Sequence, residues 1–226
     1  MAILYIVATP IGNLKDITLR SLDILREVDM IACEDTRHTK KLLSAYEIGK
    51  RLVSCHANNP ERGVVAVLAA LEAEKTVAYA TDAGTPGLSD PGSLLAGRVR
   101  EAGHEVIPLP GPSAMTALMS VAGIGGKTLT FEGFLSPKQG RRRRRLEELL
   151  GREENFLLYE SPHRILKLLG DIADLGGERK MVIGREMTKL HEEYLTGTAA
   201  ELLEELEKRE KVQGEFSLLV AGKKKL

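Results

Sequence analysis

The sequence predicts a chain of two α/β domains, and three observations carry that expectation. Up to about residue 110, apolar runs of strand length alternate with segments whose apolar residues recur at helical spacing. That alternation is the signature of βαβ units around a mostly parallel sheet. After the turn Pro108-Leu-Pro-Gly-Pro112 the rhythm changes, and two strand-like runs follow each other closely enough to form a hairpin, which predicts a mixed sheet. The 226 residues are enough to bury two such cores. The expected domains are residues 1–115 and 116–226, joined near residues 112–127.

Taken in order, Ile3 to Ala8 is an unbroken apolar run, as in a strand covered on both faces. Asp16 reads as the cap of a helix running to Arg26, with Leu19, Leu22 and Leu25 on its buried stripe. A strand Met30 to Cys33, a helix Thr39 to Tyr46, a strand Leu52 to Cys55 and a helix Gly63 to Glu74 continue the pattern. Strand Thr76 to Ala80, helix Pro91 to Ala102 and strand Glu105 to Leu109 complete it. The uncharged stretch Val106 to Gly126 is long enough to cross a bilayer, but Pro108, Pro110 and Pro112 break any helix there. It is expected to be a turn and a short buried helix in a soluble protein. Beyond it come strand Thr128 to Phe134, a basic helix, strand Asn155 to Tyr159, helix Pro162 to Leu175 and strand Met181 to Met187. His191 to Leu195 pairs back onto that strand, Thr198-Ala-Ala-Glu201 is a capping box for a last helix, and Phe216 to Ala221 is a final strand.

Lys plus Arg and Asp plus Glu number 32 each, so the formal charge is zero. Attachment to nucleic acid by bulk charge is excluded, but a local basic patch is not. Cys33 and Cys55 form no CxxC pair and no cluster with histidine, which argues against a disulfide framework or a metal site and for a reducing, cytoplasmic compartment. Both are expected to be small buried hydrophobes. No basic leader precedes the first apolar run, so the start does not read as a signal peptide. Aromatic residues are only 4% with no tryptophan, a poor basis for base stacking on an exposed sheet.

In open α/β sheets ligands bind beyond the carboxyl ends of the strands. The turns expected there are Ala8-Thr-Pro-Ile-Gly-Asn13, Glu34-Asp-Thr-Arg-His38, Thr81-Asp-Ala-Gly-Thr-Pro-Gly-Leu-Ser-Asp-Pro-Gly92 and Pro110-Gly-Pro-Ser-Ala114. Glycine and proline in nearly every turn predict rigid loops that offer bare backbone. None contains GxGxxG or GxxxxGK[ST], so phosphate cradling loses ground and a nucleoside-like ligand gains it.

Val7-Ala-Thr-Pro-Ile-Gly-Asn-Leu-Lys-Asp-Ile-Thr-Leu-Arg20 resembles the opening loop of the tetrapyrrole methylase superfamily. Asp82-Ala-Gly-Thr-Pro-Gly-Leu-Ser-Asp-Pro-Gly92 and Pro110-Gly-Pro-Ser-Ala114 resemble its second and third cofactor loops. Cys33-Glu-Asp-Thr-Arg-His-Thr39, Tyr159-Glu-Ser-Pro-His-Arg164 and Arg185-Glu-Met-Thr-Lys-Leu-His-Glu-Glu193 resemble narrower signatures of the branch that methylates a ribose 2′-hydroxyl, with a cytidine as the expected target, in 16S ribosomal RNA. The resemblance spans essentially the whole chain. It implies a homodimer that binds S-adenosylmethionine between its domains, touching Pro10, Thr81, Asp82, Ala83, Gly84, Ser89, Asp90, Pro112, Ser113, Ala114 and Tyr159. Gly214-Glu215-Phe216 matches a further motif that approaches the adenine. Where corrin-modifying members have Gly-Asp-Pro, this chain has Gly84-Thr85-Pro86, which weakens a tetrapyrrole substrate.

Methyl transfer from a sulfonium needs in-line positioning and removal of the hydroxyl proton. Glu34, Asp35 and Lys189 are the candidate proton acceptors, and Arg37 is the candidate phosphate anchor, against the plainer reading of a helix cap with surface ion pairs. Arg141 to Arg145 is the clearest basic feature. Lys138, Arg141, Arg142, Arg143, Arg144 and Arg185 are expected to meet RNA phosphates, although Glu147 and Glu148 can pair with Arg143, Arg144 and Arg145 across one helical turn. His56, Asn58, Asn59 and Arg62 form either a substrate contact or an ordinary capping loop, and His104 reads as a strand-edge histidine. Two rival functions stay open, a methylase of a tetrapyrrole or other small molecule and a non-catalytic RNA-binding assembly factor.

Overall fold

A computed structural model of the chain describes residues 2–56, 60–88, 90–176 and 178–223. The chain divides into two units, Met1–Ser113 and Ala114–Leu226.

In the first unit the strands are β1 (Ile3–Val7), β2 (Met30–Cys33), β3 (Leu52–Ser54), β4 (Val77–Ala80) and β5 (Glu105–Leu109). They lie in the order β3-β2-β4-β1-β5, and every neighbouring pair is parallel. All five carboxyl ends therefore share one edge. Helices α1 (Leu19–Glu27), α2 (Thr36–Ala45), α3 (Pro60–Glu72) and α4 (Gly92–Glu101) connect them. Each position of β2 and β4 is buried, which is why these strands read as continuous apolar runs. Alternate strand residues serve opposite faces: Leu4, Ala32 and Tyr79 pack with Val67, Leu71 and Val99, and Val7, Ile31 and Ala80 with Leu25, Leu42 and Leu43.

Three helix starts in this unit differ from expectation by two or more residues, and α3 begins at Pro60 rather than Gly63. Asp16 closes a short 3-10 turn, and the cap of α1 is Thr18, whose hydroxyl accepts from the Ser21 N–H. Leu19 consequently sits in the first turn, 80% exposed, while Leu22 and Leu25 are buried. Helix α2 begins at Thr36 with Asp35 as its cap, three residues before the expected start.

The second unit holds β6 (Leu129–Phe134), β7 (Asn155–Glu160), β8 (Met181–Arg185), β9 (Glu193–Gly197) and β10 (Phe216–Val220), in the order β6-β7-β10-β8-β9. Only β6 and β7 are parallel, so the sheet is mixed, and β8–β9 is the expected hairpin. Helices α6 (Gln139–Leu150), α7 (Ile165–Gly176) and α8 (Ala199–Glu207) cover one face, where Leu146, Ile165, Leu169, Ile172, Leu202 and Leu206 pack on Phe156, Leu158, Ile183 and Leu218. Both bonds of the Thr198–Glu201 capping box are present. The helix after the proline turn, α5 (Ala114–Val121), buries Leu118, but Met119 and Val121 are exposed, so the expected buried helix is a half-exposed one. Among the described residues no helix is long and apolar enough to cross a membrane.

Register determines what meets at one end of this sheet. Phe134 pairs with Tyr159, Glu160 with Phe216, Phe216 with Arg185, and Arg185 with Glu193. The loops after β6, β7 and β8 and the loop before β10 thus converge on a single edge.

Candidate active site

The strand-end loops of the first unit are interlocked. Thr9 and Gly84 exchange backbone hydrogen bonds of 2.9 and 3.0 Å, and the buried Thr9 hydroxyl donates to the Thr81 carbonyl at 3.0 Å. Gly84 has φ +83°, a left-handed backbone that glycine adopts without strain. The Thr85 hydroxyl donates to the Pro112 carbonyl at 3.0 Å, joining the second loop to the third. A Cβ at Gly111 would lie 2.9 Å from that of Ala8, so the first and third loops also touch closely. Both carboxylate oxygens of Asp90 accept backbone N–H groups, from Gly87 at 2.7 Å and Gly92 at 2.6 Å. Pro10, Thr81 and Ser113 are buried, Asp82 and Pro112 are half-buried, and Ala83 is exposed. Ser89 lies outside the described residues, as do Asn58 and Asn59. The locking hydroxyls of Thr9 and Thr85 were not singled out from sequence, although each precedes a proline in a turn.

Glu34 clasps two loops. Its Oε1 accepts from the Thr81 hydroxyl and from the Asp82 N–H at 3.1 Å, and Asp82 Oδ1 accepts the Asp35 N–H at 3.1 Å. Glu34 Oε2 has no hydrogen-bond partner among the described residues. Asp35 is committed differently. Its carboxylate caps α2 through the Arg37 N–H at 2.8 Å and holds the Arg37 guanidinium at 2.8 Å. Those bonds keep the Asp35 carboxyl far below the usual carboxylate range, which makes it a weaker base. Arg37 is folded back on Asp35 with its side chain 88% exposed.

The second unit's converging edge is charged and strained. Glu186 and Thr188, in the loop after β8, have φ of 50° and 66°, a conformation costing roughly 1–3 kcal/mol per non-glycine residue. Surrounding bonds impose it. Glu186 Oε1 accepts from Lys189 Nζ at 2.8 Å and from the Glu215 N–H at 2.9 Å, and the Thr188 N–H donates to Glu192 at 2.6 Å. Gly214, with φ +100°, has no room for a Cβ, which would fall 2.5 Å from Glu186 Cγ. Lys189 also meets the Glu215 carboxylate at 3.1 Å. Burial pulls the Lys189 ammonium down, but Glu186 and Glu215 outweigh it and hold the group charged above its ordinary range. A base must be neutral, and this ion-paired state is not one in which Lys189 takes a proton.

Arg185 is corrected as an RNA contact too. Its Nε donates to the Gln213 carbonyl at 2.6 Å and its Nη1 meets Glu193 at 3.2 Å, where Arg209 pairs as well. Tyr159 is half-buried, with Phe131 and Phe134 set edge-on at ring-centroid distances of 5.2 and 5.8 Å.

The arginine run divides by helix face. Arg142 is 5% exposed and its Nε meets Asp171 at 2.7 Å; Arg143 meets Asp171 and Asp174 at 2.9 Å each. Both are held by α7's carboxylates, so neither is an uncompensated cation. Arg145 meets Glu132 at 2.7 Å and Glu148 at 2.6 Å, and among the described residues no ion pair joins Glu147 to the run. Lys138, Arg141 and Arg144 are exposed and form no ion pair among the described residues. Cys33 and Cys55 are buried, and burial pushes the Cys55 thiol up to about 11, so it is inert. No group of His, Cys, Asp and Glu suited to a metal ion occurs among the described residues.

Residues 3–203 match the family model of the tetrapyrrole (corrin/porphyrin) methylases. The chain is 48% identical over 219 residues, 96% of its length and 98% of the relative's, to ribosomal RNA small subunit methyltransferase I of Borrelia garinii subsp. bavariensis. It is 45% identical over 224 residues to the protein of that name from Thermotoga maritima, covering 99% of this chain and all of the other. Among solved structures, cobalt precorrin-4 methyltransferase superposes with a TM-score of 0.72 at 16% identity, over 97% of this chain and 94% of the other, a likeness of fold. The interlocked loops sit on a chain that matches this family over nearly its whole length, and the protein belongs to the tetrapyrrole methylase family, among the ribosomal RNA small subunit methyltransferases I.

Proposed function

We propose that the protein transfers a methyl group from S-adenosylmethionine to a ribose 2′-hydroxyl, that of a cytidine, in 16S ribosomal RNA. What carries the reading is the near-full-length relationship to proteins named ribosomal RNA small subunit methyltransferase I. The first unit's loops suit the cofactor. They are fastened to one another, leave Ala83 exposed, and lack the glycine-rich pattern of a phosphate cradle. Pro10, Thr81 to Gly84, Asp90, Pro112 and Ser113 would hold it. The cofactor supplies a methyl on a sulfonium whose departing thioether is neutral, so no acid is needed to assist departure.

The chain must then orient the hydroxyl and take its proton. Glu34 is the proposed acceptor: Oε1 is anchored by two donors and Oε2 is open, which fixes the carboxylate without consuming it. Arg37 offers a phosphate anchor beside it. Lys138, Arg141 and Arg144 supply the uncompensated cations for the RNA backbone.

The test is calorimetric titration with S-adenosylmethionine, followed by methyl transfer to purified small ribosomal subunits with nucleoside analysis. Binding and appearance of 2′-O-methylcytidine are expected. Absence of cofactor binding would overturn the enzyme reading, and transfer to a tetrapyrrole but not to RNA would overturn the substrate.

A further inference from the structure

Between α6 and α7 the second unit opens a cleft of about 490 Å³ whose lining includes Pro137, Gln139, Arg143, Lys167, Gly170 and Asp174. Its lining is charged, the buried Arg142–Asp171 pair included, and Gly170 gives it one stretch of bare backbone. Gly170 lies in the middle of α7, and a Cβ there would meet nothing within 4 Å. Its φ is not left-handed. A glycine inside a helix costs roughly 0.5–1 kcal/mol relative to alanine, so neither backbone nor packing accounts for it. What a larger residue would take away is the space above the helix.

Lys167, one turn earlier on the same helix face, is exposed and forms no ion pair among the described residues. The acidic groups of the cleft are engaged: Asp171 holds Arg142 and Arg143, and Asp174 holds Arg143. The uncompensated charge is therefore positive, from Lys167 together with Lys138 and Arg141 at the adjoining start of α6.

We propose that this cleft is a nucleotide subsite, taking one nucleotide of a single-stranded RNA segment with its base over the Gly170 backbone and its phosphate on Lys167. The inference rests on the RNA reading above and extends the contact surface from α6 onto α7. A polyanion fits because the cleft's own carboxylates are already neutralised, and a flat ring fits at Gly170, where α7 raises no side chain against it. Counterion release from a phosphate contact adds roughly one unit to the salt slope.

The experiment measures affinity for 16S ribosomal RNA, both naked and in small subunits, over a range of salt for the wild type and three variants. Lys167→Gln is expected to weaken binding about tenfold and to lower the slope by roughly one. Gly170→Leu, which fills the cleft, is expected to weaken binding at least fivefold, while Gly170→Ala stays within twofold and melts no lower than wild type. Cofactor affinity, unchanged in all three, reports that the fold is intact; should Gly170→Leu fail to fold, Lys167→Gln decides alone. Variants that bind RNA like a wild type that itself binds would overturn the subsite and leave the RNA reading standing. A wild type that binds neither form of the RNA would overturn both.

Discussion

In the first unit, the hydroxyls of Thr9, Thr81 and Thr85 and the carboxylates of Glu34, Asp82 and Asp90 fasten the strand-end loops to backbone groups and to one another. The ion pair in those loops, Arg37 with Asp35, stays within a single loop. The second unit fastens its edge with charge: Lys189 with Glu186 and Glu215, Arg185 and Arg209 with Glu193, Arg142 and Arg143 with Asp171. Hydrogen bonds to backbone have fixed geometry and little response to salt, whereas partly exposed ion pairs respond to both salt and pH. The first edge is therefore built to read the shape of a small ligand. The second leaves a few cations free beside a compensated network, which suits a polyanion.

The comparison breaks most sharply at Glu34. If Oε1 clasps and Oε2 accepts the proton, Glu34→Gln keeps the clasp and lowers single-turnover methylation about a hundred- to ten-thousand-fold with cofactor affinity retained. Glu34→Ala loses cofactor affinity as well. Near-normal turnover of Glu34→Gln would reduce the residue to a clasp. Next, Asp171→Ala strands a buried guanidinium, and removing one member of a buried pair costs about 3–5 kcal/mol, read as a lower urea midpoint for the second unit. Gly84→Val forces a β-branched residue to φ +83° in the cofactor frame and is expected to weaken S-adenosylmethionine binding at least hundredfold, measured by calorimetry on protein that still melts cooperatively. Replacing Arg141 and Arg144 together by Gln is expected to cost about tenfold in RNA affinity and roughly two units of salt slope; an unchanged slope would make them solvated surface.

The smallest effect is on acid stability. Burial works against ionisation of Asp171, Glu186 and Glu193, but Arg142, Lys189 and Arg209 outweigh it and hold all three carboxyls below their ordinary values. Such groups bind protons more readily when unfolded, so their contribution is present above the unfolded value and lost as pH falls. Amides of β8 to β10 are expected to lose hydrogen-exchange protection between about pH 5 and pH 3, before those of β1 and β4. The reverse order would contradict the ion-pair account.

Much of this was legible in the sequence, and the misses have local causes. Continuous apolar runs marked β2 and β4 because both faces of a parallel strand are covered. The start of α1 is ambiguous in sequence because Asp16 and Thr18 are both competent caps two residues apart, and only the fold selects Thr18. Helix α2 was started late because its apolar pair, Leu42 and Leu43, lies far from its cap. Five consecutive arginines cannot share one helix face, so some had to turn inward. Which ones did depended on Asp171, 29 residues from Arg142, and no short-range pattern reports a partner at that distance. Glu34 stood out as an acid at a strand end, but its clasp on Thr81 and Asp82, 47 and 48 residues away, comes from the β2–β4 pairing.

The measurement that bears most directly on the central claim is a map of methylated riboses in 16S ribosomal RNA from cells with and without this protein, repeated with the Glu34→Gln variant as the only copy. The account predicts one 2′-O-methylcytidine that disappears with the protein and is not restored by Glu34→Gln. An identical map in all three strains would contradict it.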